Sequence, residues 1–324
     1  MKKIIVTGGA GFIGSCLVAG LNARGYNDII VVDHWDEEGL KRRNLTGKKY
    51  IAYYDKAEFL KLVLSGNAPE DVDGIFHMGA CSSTTGLDRD YYMKNNFEYS
   101  CVMAKWADGL GARFIYASSA ATYGDGENGY SDAPDSIARC RPLNFYGESK
   151  QLFDEWIIKN GLYGRVAGLK FFNVFGPNEY HKGDMRSVIA KAYDRVVSEG
   201  KMILFKSCRS DYSDGEQKRD FIYVKDVVAV MLFLMQNSSV NGIYNVGSGH
   251  ARTWNDLASA LFSAVGKPRV IEYIPMPEIL RSKYQYFTQA DMSRLCQAGW
   301  NGPGMSLEDA VKDYVLYLKD QSIM

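Results

Sequence analysis

The sequence predicts an α/β protein built on a doubly wound parallel sheet, with a smaller α/β substrate-binding lobe toward the C-terminus. Three observations carry this reading. Short β-branched runs alternate with longer helix-period stretches through the first half of the chain. Those runs are apolar nearly throughout, as strands buried on both faces are. The first of them leads into TGGAGFIG (7–14), a glycine-rich turn at the start of a helical pattern.

The strand candidates of the first half are KIIVTG (3–8), DIIVVD (28–33), YIAYYD (50–55), GIFHMGA (74–80), ARFIYASS (112–119) and VAGLKFFNV (166–174). Helical stretches such as FIGSCLVAGLNARG and NNFEYSCVMAKWADGL lie between them. After about residue 175 the texture becomes polar and loop-like. Strand signals return at 202–206, 219–224 and 242–249, and Ser306 is placed to cap a late helix. The expected division is residues 1–172 plus about 219–250 for the sheet domain, and about 173–218 plus 251–324 for the substrate domain.

In the turn, Gly9, Gly11 and Gly14 fit G-x-G-x-x-G, while Gly8, Gly11 and Gly14 fit a looser spacing. Glycines there let the backbone approach a pyrophosphate at a helix N-terminus, the Rossmann arrangement. Asp33, ending the next strand, is placed to accept a ribose 2′-OH, which favours NAD. Lys41, its neighbours in KRR (41–43), and Lys56 could instead hold a 2′-phosphate. These residues leave NAD and NADP open.

Composition excludes several classes. Lys plus Arg and Asp plus Glu both total 38, so no charge excess points to nucleic acid or a membrane surface. Six scattered cysteines without a CxxC pair argue for reduced thiols, and the four histidines show no metal-ligand spacing. No apolar run is long enough for a membrane span, and the run opening the chain is too short for a signal peptide. The expectation is a cytoplasmic protein without metal.

NFYGESK (144–150) sets Tyr146 and Lys150 four residues apart, on one face if the segment is helical. A phenol with a pKa near ~10 is a poor base at neutral pH, and a fixed ammonium beside it would lower that value. Ser118 and Ser119 end a predicted strand, so Ser119 could hydrogen-bond the substrate oxygen that Tyr146 deprotonates.

With these pieces in order, the chain resembles the extended short-chain dehydrogenase/reductases, and within them the ADP-L-glycero-D-manno-heptose 6-epimerase family. The resemblance runs through TGGAGFIGS, FHMGACSSTT (76–85), YASSAATYG, NFYGESK, FFNVFGPNEYHKG (171–183), KRDFIYVKDV and YQYFTQAD (284–291). It implies epimerisation at C6 of an ADP-bound heptose for the lipopolysaccharide inner core, with tightly held NADP. It further implies a homo-oligomer, the family forming homopentamers. Tyr146 and Lys182 take the positions of the two catalytic bases, with Lys150 and Ser119 supporting. Implied cofactor contacts beyond Gly8, Gly11, Gly14, Tyr146 and Lys182 are Phe12, Ile13, Asp33, His34, Lys41, Lys56, Met78, Gly79, Ala80, Cys81, Ser82, Asn95, Lys150 and Val174. Implied substrate contacts are Ser119, Asn173, Arg219 and Tyr284, with Asp184, Lys191 and Phe205 in the same region. The resemblance favours NADP over NAD.

Two departures stand out: Asp184 and Lys191 replace the serine and histidine common in the family, and the stretch between Phe205 and Arg219 is long. A carbinol carbon without an acidic C–H is inverted through oxidation to a ketone and reduction on the other face. The hydroxyls of the two epimers point differently, so a second base answers the reach that proton transfer needs. Burial and nearby positive charge would free Lys182 of its proton. A 4,6-dehydratase would want two carboxylates after Ser119, where Ala120 and Ala121 stand. A UDP-sugar 4-epimerase would need neither Lys182 nor GACSSTT, and a non-catalytic cofactor sensor would lack Tyr146 or Lys150.

Overall fold

A computed structural model describes residues 2–34, 38–84, 86–281 and 284–324. Twelve strands occur among them. The first six are β1 (Lys3–Thr7), β2 (Ile29–Asp33), β3 (Ala52–Asp55), β4 (Val72–His77), β5 (Arg113–Ser119) and β6 (Val166–Phe171). The others are β7 (Asn173–Phe175), β8 (Met202–Phe205), β9 (Lys218–Tyr223), β10 (Gly242–Val246), β11 (Ala251–Thr253) and β12 (Ile271–Ile274). Seven form one parallel sheet in the order β10-β6-β5-β4-β1-β2-β3. The order reverses between β1 and β4, so a crevice opens beyond their carboxyl ends.

Alternation along each strand feeds two cores. Ile4, Val6 and Val31 pack on one face against Leu17 and Leu21 of the helix Phe12–Ala23 and against Val227 and Met231 of the helix Val224–Gln236. Ile5, Ile30 and Val32 pack on the other, with Met103, Phe153 and Ile157 from the helices Tyr99–Leu110 and Phe145–Lys159. All five residues of β2 are buried, which is why its sequence carries no polar alternation. Among the described residues no helix is long and apolar enough to cross a membrane.

The second half departs from the sequence reading in three places. The run VAGLKFFNV is two strands: the chain leaves the main sheet at Phe172, whose N–H bonds Val246, and residues 173–175 pair with β9 instead. The segment 219–224 does not return to the main sheet. It is the middle strand of a three-stranded sheet, parallel to β7 and antiparallel to β11. Only β10 closes the main sheet's edge. β11 and β12 were not legible as strands, being three and four residues long and at most partly apolar outside their pairings. Late in the chain, Ser306 does cap the helix Leu307–Asp320, accepting from the Asp309 N–H.

Candidate active site

The glycine turn shows why each glycine is there. Gly8 has φ +66°, and a Cβ on it would lie 2.6 Å from the Gly79 nitrogen. A Cβ on Gly14 would lie 2.1 Å from the Gly8 carbonyl oxygen. The turn is therefore a backbone cradle at the N-terminus of the helix Phe12–Ala23, the geometry that receives a pyrophosphate. Asp33 braces it from below. One carboxylate oxygen accepts from the Ala10 and Gly11 N–H groups at 3.0 and 3.1 Å; the other accepts from His34 N–H at 2.7 Å and Lys41 Nζ at 2.5 Å. The carboxylate and the lysine that compete in the sequence are thus paired with each other.

A cleft of about 540 Å³ opens over this turn. It is lined by Gly8, Gly11, Phe12, Ile13, Gly14, Asp33, Lys41, Met78, Gly79, Ala80, Ser82, Ser119, Tyr146, Lys150, Asn173, Val174 and Lys182. An adjoining pocket of about 220 Å³ shares Gly8, Asp33 and Lys41 and adds His34, Lys56, Cys81 and Asn95. There Lys56 Nζ donates to Asn95 Oδ1 at 2.8 Å. Thr85, which ends the GACSSTT motif, lies outside the described residues.

Tyr146 and Lys150 share a face of the helix Phe145–Lys159, whose start is capped by Asn144 accepting from the Gly147 N–H. Ser119 closes β5. Here one expectation is corrected. Burial raises the Tyr146 pKa, and its hydrogen bond to Ser119 only partly opposes that. The Lys150 ammonium is not among the groups that move it; its Nζ donates to the Ala117 carbonyl at 2.7 Å. Burial pushes Lys150 itself down to about 8, against the opposing pull of Asp154.

Lys182 comes from a different element, the 3₁₀ turn Tyr180–Met185, which is kinked at Gly183. Its Nζ sits 5.5 Å from the Phe12 ring centroid across the cleft. Burial lowers its pKa, with the Glu179 charge opposing, so the direction matches what a neutral base requires.

The remaining candidates separate. Lys191, Phe205 and Tyr284 line a second pocket of about 360 Å³ together with Val188, Arg195 and Trp254. Arg219 is buried beneath it, its guanidinium carbon 5.1 Å from the Tyr284 ring and 5.8 Å from Trp254. Asp184 lines none of these three cavities. It is exposed on the turn, and its carbonyl accepts from Lys191 Nζ at 3.2 Å.

Residues 4–247 match the NAD dependent epimerase/dehydratase family. The chain belongs to that family. A relative from Nitratidesulfovibrio vulgaris, named ADP-L-glycero-D-manno-heptose-6-epimerase, is 56% identical over 311 residues and 96% of each chain. One of the same name from Fusobacterium nucleatum is 44% identical over 321 residues, again with 96% of each covered. Among solved structures, the enzyme of that name from Helicobacter pylori aligns with a TM-score of 0.81 at 28% identity, over 98% of this chain and 96% of that one. A UDP-N-acetylglucosamine 4-epimerase from Methanobrevibacter ruminantium, at 24% identity, shares the fold with a TM-score of 0.82 over 99% of both chains.

Around this epimerase-family cleft lie residues that the sequence reading missed. Asp154, one turn beyond Lys150, accepts from Tyr116 and Ser118 hydroxyls at 2.9 and 2.7 Å and from Lys170 Nζ at 2.7 Å. Asn96 holds both backbone groups of Cys81, at 2.8 and 3.0 Å, and donates to Ser149 Oγ. It thereby ties the GACSSTT loop to the helix bearing Tyr146. The i, i+4 spacing to Lys150 was a readable signal for Asp154. Asn96 gave none, because its partners lie far along the chain.

Proposed function

We propose that this protein interconverts ADP-D-glycero-β-D-manno-heptose and ADP-L-glycero-β-D-manno-heptose at C6 through a 6-keto intermediate. In this reading it holds NADP tightly, and it supplies heptose for the lipopolysaccharide inner core in the cytoplasm as a homo-oligomer. The observation that carries it is the pairing of Tyr146 and Lys182 in one cleft, from two separate elements, over a glycine cradle.

The residues present fit a nicotinamide dinucleotide: Gly8 and Gly14 leave no room for a side chain against the backbone of Gly79 and of Gly8 itself, so the turn stays tight enough for a pyrophosphate to approach its backbone. Gly8, Gly11 and the first turn of the following helix would hold the pyrophosphate. Lys150 and Tyr146 would hold the nicotinamide end, with Val174 and Met78 beside it. The carboxylate of Asp33, with about four acceptor positions, already has four donors, which leaves little for a ribose 2′-OH. Lys41 and Lys56 put two cations at the adjoining pocket, which supports NADP. The main-sheet part of the chain, residues 1–172 with the helix Val224–Gln236 and β10, would carry the cofactor. The rest would carry the nucleotide sugar, with Arg219, Tyr284, Lys191 and Phe205 toward the nucleotide and Asn173 toward the sugar.

A nicotinamide held there would supply reversible two-electron oxidation of C6. Tyr146, oriented by Ser119, takes the C6 hydroxyl proton of one epimer and returns it. Lys182 does the same for the epimer whose hydroxyl points the other way. Because C6 is exocyclic, rotation about one bond presents either face. Ala120 and Ala121, in the turn after Ser119, offer no carboxylate for elimination. The test is to mix purified protein with ADP-D-glycero-β-D-manno-heptose, without added cofactor, and follow C6 by NMR. The L-glycero epimer should accumulate to a fixed ratio; an unchanged spectrum would contradict the proposal.

A further inference from the structure

The turn that carries Lys182 is closed by a single buried carboxylate. Glu179 precedes the turn, and its carbonyl accepts from the Lys182 N–H at 3.0 Å. Its side chain, in a residue only 1% exposed, reaches past the turn to the far side. There it accepts from the Ser187 N–H at 2.5 Å and from the Ser187 hydroxyl at 2.6 Å. Ser187 in turn caps the helix Val188–Glu199. The two ends of the segment 179–187 are therefore clasped by one side chain, and Lys182 sits inside the clasp.

The clasp is anchored from outside. Tyr314, fully buried in the helix Leu307–Asp320, donates its hydroxyl to Glu179 at 2.9 Å. Tyr180, inside the turn, donates to the Tyr317 and Ser322 carbonyls at 3.2 and 2.9 Å. Asn178 accepts from the Met324 N–H at 2.9 Å and donates to Ser15 at 2.9 Å. Tyr146 is held by a separate set of bonds, on its own helix, where the Ser149 hydroxyl donates to the Tyr146 carbonyl at 2.7 Å and accepts from Asn96.

We infer that Glu179 is the positioning residue for Lys182, holding that amine at the distance from C6 at which it serves one epimer and leaving the Tyr146 side untouched. This rests on the two-base reading above. A catalytic base on a 3₁₀ turn needs such a device, since a displacement of about 1 Å can cost about 10²-fold in rate. Changing the carboxylate to an amide keeps the volume but turns one acceptor into a donor, which then faces the Ser187 N–H.

The test separates the two bases. A substrate analogue with an aldehyde at C6 undergoes dismutation: one molecule, as its hydrate, loses two electrons and becomes the acid, and another gains them and becomes the alcohol. This needs a base on one side of C6 only. Glu179→Gln should lower epimerisation about tenfold or more, short of the about 10²–10⁴-fold cost of losing a general base outright, while keeping much of the dismutation. Placed on Lys182→Ala, it should add less than about twofold, since both changes remove one function. Placed on Tyr146→Phe, it should lower dismutation about tenfold. Bound nicotinamide should stay at the wild-type level. Tyr314→Phe leaves the carboxylate and its Ser187 bonds in place and should show the same pattern more weakly, so it serves where the glutamine variant folds poorly. A further tenfold loss on the Lys182→Ala background, or wild-type epimerisation by Glu179→Gln, would overturn the inference. Wild-type epimerisation by Lys182→Ala alone would remove the two-base reading itself, a result distinct from either.

Discussion

Asp154 and Lys170 meet at 2.7 Å with neither side chain exposed, directly beneath Ser118 and the helix of Lys150. Lys170 also donates to Thr122, and Asp154 takes the Tyr116 hydroxyl, so the pair is hydrogen-bonded on all sides. Removing one partner of such a pair leaves a buried charge and should cost about 3–5 kcal/mol. Urea unfolding of Asp154→Asn and Lys170→Met should each show a loss of that order. The double variant should lose clearly less than the sum, and simple additivity would show the two charges to be independent. His77 gives a second prediction. Burial, and then the Lys150 charge, lower its pKa from 6.5 to about 3, and its ring nitrogens are engaged by Thr7 and Ser100 at 2.7 and 2.8 Å. Between pH 6.5 and about 3 the unfolded chain binds a proton that the native state refuses. Stability should therefore fall as pH falls through this window, by up to about 1.4 kcal/mol per pH unit from this one group. Measured between pH 6.5 and 4.5, His77→Gln should flatten that slope; an unchanged slope would place the acid sensitivity elsewhere.

At the scale of elements, legibility followed locality. The helix of Tyr146 and Lys150 could be read because its cap, spacing and apolar face lie within a few residues of each other. Four of the first five strands, β1, β2, β4 and β5, were legible for a related reason: burial on both faces leaves a run that needs no partner to be recognised, while β3 at the sheet edge is only half-buried. What was not legible depended on distant pairing. β7 was read as an extension of β6, because nothing in FFNV marks the point where the chain turns toward β9. The helix beginning near Asn95 actually starts at Arg89 and passes through a π-helical turn, Met93–Glu98, that sets Asn96 toward Cys81. Such turns gather at functional sites, and period counting does not reveal them. Lys182 stands between these cases. Its spacing alone would suit a phosphate-binding lysine, and only the HKG motif, through the family resemblance, suggested the role of a base.

For the whole molecule, the strand order places the glycine turn after β1, the Met78–Ser82 loop after β4 and Ser119 at the end of β5 along one crevice, with Lys182 closing it from the second half. Two consequences can be measured on the intact protein. Acid release followed by mass spectrometry should show that the purified protein carries a nicotinamide dinucleotide with a 2′-phosphate. NAD alone would mean that Lys41 and Lys56 serve Asp33 and Asn95 and not the cofactor. The central claim is that C6 is inverted by oxidation and reduction within one closed site, with protons handled by Tyr146 and Lys182. Substrate carrying deuterium at C6 should give product with the label still on C6, and no reduced cofactor should build up during turnover. Loss of the deuterium to solvent would contradict the account, since it would mean that the carbon gives up its hydrogen as a proton.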